Sequence, residues 1–182
     1  MPEKSLQDKK IAIIIAQQDF RDEEYFIPKS IFEGEGATVE TVSTEVGKAI
    51  GSYGGEVEAT LGFEDLTVLA FDALIFVGGS GAQKYIDDEK CWQIAKDAVE
   101  QNKVLGAICI APAILARAGV LKNKKATVWS SALDKSTVKI LKDEGANYQA
   151  EPVVVDGKII TANGPQAARK FGEAVVRGLT KF

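Results

Sequence analysis

Three short apolar runs, residues 11–16 (IAIIIA), 73–77 (ALIFV) and 104–108 (VLGAI), constrain this chain more than any other feature. Each is too short for a buried helix, and none alternates with polar residues. Strands of that kind are covered on both faces, as in a parallel sheet flanked by helices. The intervening segments carry helical spacing. Residues 22–35 bring Tyr25, Phe26, Ile31 and Phe32 together, with Gly34 and Gly36 as C-cap candidates, and residues 87–101 place Trp92, Ile94, Ala95, Ala98 and Val99 inward. Further helices are predicted over 110–118, over 136–144 with Gly145 as the stop, and over 164–181. Residues 37–43 read as the second strand and 126–129 as a short one. Residues 151–156 and 158–161 flank Gly157 as a hairpin with an Asp-Gly turn. Residues 47–61 hold Gly47, Gly51, Gly54 and Gly55 and read as a hairpin or mobile loop rather than a boundary. The alternation predicts one α/β domain over 1–182, a sandwich with a mostly parallel central sheet, led by a flexible stretch over 1–9.

Composition narrows the function. With 182 residues the chain can bury a core, and a net charge of −4 argues against a nucleic-acid partner. No apolar run approaches the ~18 residues of a membrane span, and the charged N-terminus lacks a signal-like stretch. The chain has two cysteines and no histidine. Two cysteines are too few for a disulfide framework, which points to a reducing, cytoplasmic setting. Without an imidazole, Ser-His-Asp and Cys-His catalysis and His-ligated metals are excluded within one chain.

Cys109 lies where the apolar run 104–108 gives way to a helical pattern. A thiol at a strand-to-helix turn faces the open end of a sheet and the positive end of a helix, which favours the thiolate. Ala107 and Ala111 are small enough for a tight nucleophile elbow. In that geometry the amides of Ile110 and of the Gly78-Gly79 turn point at the reacting group. The competing reading makes Cys109 a small apolar core residue. Cys91, beside Trp92 on a helix face, reads as structural. Gly79-Ser80-Gly81 could open a phosphate cradle, but Lys84 stands where the pattern needs its last glycine. The loop after the first strand is acidic (Asp19, Asp22, Glu23, Glu24) with only Arg21 opposing. No nucleotide or flavin cofactor and no metal is therefore expected.

Residues 71–79 (FDALIFVGG), 106–112 (GAICIAP), 116–121 (ARAGVL) and 153–158 (VVVDGK) resemble the DJ-1/ThiJ/PfpI superfamily, and 18–24 (QDFRDEE) through Pro28 resembles its first loop and helix. The resemblance implies a flavodoxin-like three-layer α/β/α sandwich, a homodimer, and a cysteine on a nucleophile elbow. It also makes Glu24, four residues before Pro28, the carboxylate that contacts Cys109. From the residues alone Glu23 competes equally. Burial beside a thiol would raise the Glu24 pKa and favour a protonated, donating form. Asn163-Gly164-Pro165 resembles the family turn near the active site, so Asn163 is placed in the pocket with Gly78, Ser80 and Trp129. The departures matter too. Ile110 stands where the protease-like branch has histidine, Gln83 where it has an acid, and Trp129 where another branch has histidine. These substitutions argue against a Cys-His-Glu protease.

The residues and the resemblance together lead to a redox-responsive protein in which Cys109 is oxidised to sulfinate and held by Glu24 and the amides of Gly79 and Ile110. A glyoxalase or deglycase acting on a small aldehyde is the alternative, and a chaperone-like or regulatory protein without catalysis is the third reading.

Overall fold

The computed structural model describes residues 3–181. Its main sheet has seven strands in the order β11-β12-β8-β7-β1-β3-β6. These are β1 (Lys10–Ile14), β3 (Thr38–Ser43), β6 (Leu61–Gly62), β7 (Ala73–Phe76), β8 (Val104–Ile108), β11 (Val153–Asp156) and β12 (Ile159–Ala162). All neighbours pair parallel except β11 and β12. The three apolar runs of the sequence form the centre, β1, β7 and β8, where Ile13 lies beside Ile75 and Ile75 beside Gly106. Helices α1 (Asp22–Gly34) and α5 (Ala168–Thr180) pack on each other and on one face; α2 (Glu89–Glu100), α3 (Pro112–Arg117) and α4 (Ser136–Asp143) form the layer on the other. The result is the predicted flavodoxin-like sandwich.

Residues 47–61 hold a true hairpin, β4 (Gly47–Gly51) and β5 (Glu56–Ala59), extended by β2 (Gln18–Phe20) into a small second sheet. Its tip is fixed to the start of α1. The Asp22 carboxylate accepts the N–H groups of Tyr53 and Gly55, each at 2.8 Å. A Cβ at Gly51 or Gly55 would come within 2.6 Å of that carboxylate, so both positions need glycine.

Several expectations need correction. Val99 is exposed, because it falls at the end of α2 where the buried face is carried by Cys91, Ile94, Ala95 and Ala98. The segment 126–129 is a strand only at β9 (Lys125–Ala126), paired parallel with β10 (Asn147–Tyr148). The third helix begins at Pro112 rather than at residue 110, and the last at Ala168 after a short 3₁₀ turn. Residues 5–8 are a turn anchored by fully buried Leu6, whose N–H donates to the Glu35 carbonyl at 2.9 Å, and not a loose lead-in. Met1 and Pro2 of the expected flexible stretch lie outside the described residues.

Candidate active site

The carboxyl ends of β1, β7 and β8 converge, as expected for the crevice of an open α/β sheet. Cys109 follows β8 with φ +65°, a left-handed conformation that a non-glycine residue adopts at a cost of about 1–3 kcal/mol. Backbone bonds on both sides hold it there. Its N–H donates to the Ala162 carbonyl at 2.9 Å, and its carbonyl accepts the Trp129 N–H at 2.8 Å. Past Ala126 the chain leaves the β9 ladder: the Thr127 N–H donates to the Thr161 hydroxyl and the Trp129 N–H to the elbow. Ala107 and Ala111 are fully buried beside the turn.

The glycine turn after β7 closes against the elbow. A Cβ at Gly78 would lie 2.5 Å from the Cys109 Cβ and 2.8 Å from Glu24 Oε2, so only glycine admits the approach. Gly79 has φ +102°, and the Gly78 carbonyl accepts the Arg21 N–H at 3.0 Å, which ties the turn to the loop before α1. Glu24, in the first turn of α1, is fully buried. Its Oε2 accepts the Gly78 N–H at 2.9 Å, while no nitrogen or oxygen donor reaches its buried Oε1. Glu23, the competitor in sequence, instead pairs with Arg21 at 2.8 Å, and that guanidinium lies 4.7 Å over the Tyr53 ring.

Burial raises the Glu24 carboxyl to about 7, opposed by hydrogen bonding to the Cys109 thiol, by the Gly78 N–H and by the Arg21 charge. Burial and then the Glu24 charge push the Cys109 thiol up to about 12, against the Gly79 and Ile110 amides that would stabilise the thiolate. The simple expectation of a favoured thiolate is therefore corrected. The elbow amides act in the expected direction, but loss of water around the sulfur and the adjacent carboxylate outweigh them. Near neutral pH the two groups form a coupled pair, with a proton held on sulfur and the carboxyl group divided between its two protonation states.

Cys109, Glu24, Gly78, Gly79 and Ile110 thus surround one point. Trp129 and Asn163 line an adjoining cleft with Ser130, Gly164, Pro165 and Gln166. Ser80 is exposed at the first position of the 3₁₀ helix Ser80–Tyr85. Sequence reasoning missed Gln166 and Ser130, which carry no motif, and Asp22, which acts on a hairpin more than thirty residues away. Among the described residues no three His, Cys, Asp or Glu side chains gather as a metal site, and no helix is long and apolar enough to cross a membrane.

A profile of the DJ-1/PfpI family matches residues 9–178, and the chain belongs to that family. An uncharacterized protein of Methanocaldococcus jannaschii is 39% identical over 178 residues, covering 97% of this chain and 85% of the relative. A deglycase of Thermococcus kodakarensis is 34% identical over 153 residues, covering 84% of this chain and 89% of the relative. The crystal structure of a ThiJ/PfpI domain protein from Brachyspira murdochii superimposes with a TM-score of 0.90 at 35% identity, covering 95% of this chain and 97% of that one.

Proposed function

We propose that the chain is a cysteine-dependent enzyme of glyoxalase or deglycase type, acting on small α-oxoaldehydes or the adducts they form, with Cys109 as nucleophile and Glu24 as acid and base. The observation that carries this reading is the buried pair itself: a protonated thiol against a carboxyl group raised to about 7, where both of its protonation states are populated. The name of the Thermococcus kodakarensis relative supports the same chemistry.

As the Cys109 sulfur bonds to the aldehyde carbon, its proton passes to Glu24 and the carbonyl π bond opens onto oxygen. The Gly79 and Ile110 amides stabilise the sulfur as it loses the proton. Glu24 returns the proton to the new alkoxide, giving a hemithioacetal. The ionised carboxylate then takes the proton from the former aldehyde carbon and delivers it to the neighbouring carbon, while the hemithioacetal hydroxyl proton passes to the former ketone oxygen. The first carbon is oxidised to a thioester and the second, formerly a ketone, is reduced to an alcohol. Water cleaves the thioester, releasing a 2-hydroxy acid and restoring the thiol. No outside oxidant or reductant is consumed. A carboxyl group near 7 meets both demands on Glu24, donor and base, which a permanently ionised or permanently protonated one would not.

Conversion of methylglyoxal to lactate by the purified chain tests the reading. Turnover should disappear in Cys109→Ser; steady turnover that survives this substitution overturns it.

The second reading is an oxidisable thiol acting in redox sensing, favoured by the free Glu24 Oε1 and by the two amides at the sulfur. Two equivalents of peroxide would take the thiol through sulfenic to sulfinic acid, each releasing one water, and a protonated Glu24 would donate to a sulfinate oxygen. Mass spectrometry after mild peroxide should then find two added oxygens on Cys109 and none on Cys91. Equal, slow modification of both rules this reading out. A reducing cytoplasm suits either reading, since both thiols are free. We place the chain as a homodimer, which sedimentation checks.

A further inference from the structure

The cleft beside the nucleophile has a chemistry of its own. It is an open cleft of about 300 Å³ with Asn163 and Gln166 exposed along it, and its lining contains no ionisable side chain. Both walls are tied to Cys109. Trp129 is bonded through its N–H to the Cys109 carbonyl, and Ala162, immediately before Asn163, accepts the Cys109 N–H. Asn163 and Gln166 bring primary amides and Ser130 a hydroxyl, groups that donate and accept hydrogen bonds alike. Trp129 adds a flat apolar ring, and a Cβ at Gly164 would already stand 3.6 Å from its Cδ1, so this glycine leaves the ring edge clear. The opposite flank differs, with Asp19 exposed and Arg21 paired to Glu23.

Such a lining discriminates among tails. A carboxylate or ammonium would meet no opposite charge there. A purely apolar tail would forgo the hydrogen bonds that the exposed Asn163 and Gln166 amides and the Ser130 hydroxyl offer. An uncharged chain of hydroxyls satisfies the amides with its oxygens and lays its C–H groups against the indole. We propose that this cleft binds the non-reacting tail of the substrate, and that the tail is a neutral, hydroxylated carbon chain. The preferred substrates are then sugar-derived α-oxoaldehydes. This rests on the reading of Cys109 as the carbonyl nucleophile and adds the substrate class, with Gln166 as a specificity residue.

Three α-oxoaldehydes test it: 3-deoxyglucosone with a neutral hydroxylated tail, methylglyoxal with a methyl group, and 4,5-dioxopentanoate with a carboxylate on its tail. The expected order of kcat/KM is 3-deoxyglucosone, methylglyoxal, 4,5-dioxopentanoate, with roughly tenfold between the first two, within the range one set of hydrogen bonds supplies. Gln166→Ala should lower the 3-deoxyglucosone to methylglyoxal ratio about tenfold, and Gln166→Asn should restore part of it. A ratio near one in the wild type, or one unmoved by Gln166→Ala, overturns the proposal. Calorimetric titration of 3-deoxyglucosone into Cys109→Ser separates the two readings. If no α-oxoaldehyde is turned over but this variant binds the sugar and loses it on Gln166→Ala, the catalytic reading falls and the cleft assignment stands. If turnover is present but no such binding occurs, the cleft assignment falls alone.

Discussion

Cys91 and Cys109 are chemically identical, both are buried, and each has a carboxylate nearby, yet only one is built as a site. Cys91 sits in the first turn of α2, where Asp88 caps the helix by accepting the Cys91 N–H at 3.0 Å. Burial and then the Asp88 charge raise its thiol. Cys109 is raised for the same two reasons in the same order, with Glu24 in place of Asp88. The differences lie elsewhere. Cys109 is held at positive φ, its sulfur meets two amides, and its carboxylate partner is fully buried with one free oxygen. Asp88 is only partly buried, and its Oδ1 caps the helix. Depth of burial does not separate the two thiols here; the two amides at the Cys109 sulfur and the buried, unpaired Glu24 Oε1 do.

The widest separation between the two should come from removing each thiol. Cys109→Ala is expected to abolish methylglyoxal turnover, a loss of at least about a thousandfold, whereas Cys91→Ala should stay within about twofold of wild type. Comparable losses in both would mean that the contrast reflects folding and not chemistry, which circular dichroism of the two variants would show. The carboxylates should separate next. Glu24→Gln keeps an acceptor for the Gly78 N–H but cannot move a proton, and should cost kcat about 10²–10⁴-fold. Iodoacetamide should alkylate Cys109 faster in this variant, because a neighbouring negative charge no longer opposes the thiolate. Asp88→Asn should leave both turnover and Cys109 alkylation unmoved.

How much of this was legible in the sequence follows from what each residue depends on. β1, β7 and β8 were readable because an unbroken apolar run has few places to go. The glycines of 47–61 left a hairpin and a mobile loop as equal readings, and the pairing with β2 was not legible, because Gln18 and Asp19 are exposed and three residues carry no period. Trp129 looked like a strand residue, and only the tertiary fold shows its amide serving the Cys109 carbonyl. The elbow was suggested by small residues around Cys109, whereas the choice of Glu24 over Glu23 came from the family resemblance. In three dimensions the difference between those neighbours is plain, one buried against the sulfur and the other paired with Arg21. The direction of the Cys109 shift was not legible. A short pattern reveals the amides but not the depth of burial that outweighs them.

Stability offers a comparison independent of turnover. The folded chain holds the Glu24 proton up to about 7, whereas a carboxyl group in the unfolded chain releases it near 4.5. Between those values the native state binds more protons than the unfolded state, so native stability falls as pH rises through the window. Glu24 alone should account for about 3 kcal/mol of that loss. Urea unfolding at pH 5 and pH 8 should show it in the wild type and show it missing from Glu24→Gln, which becomes the more stable chain at pH 8. Neither cysteine titrates in this window, since both are raised above 9. A parallel fall in both chains would place Glu24 outside the explanation.

The smallest expected effect concerns the other carboxylate. Asp88→Ala removes a helix cap and should cost about 1 kcal/mol, the usual value for losing such a side chain at this position. Alkylation of Cys91 should still require unfolding, because its raised thiol owes most to burial, which the substitution leaves in place. If Asp88→Ala instead exposed Cys91 to rapid alkylation in the folded chain, Asp88 would be controlling a thiol much as Glu24 does. The two cysteines would then differ in degree and not in kind.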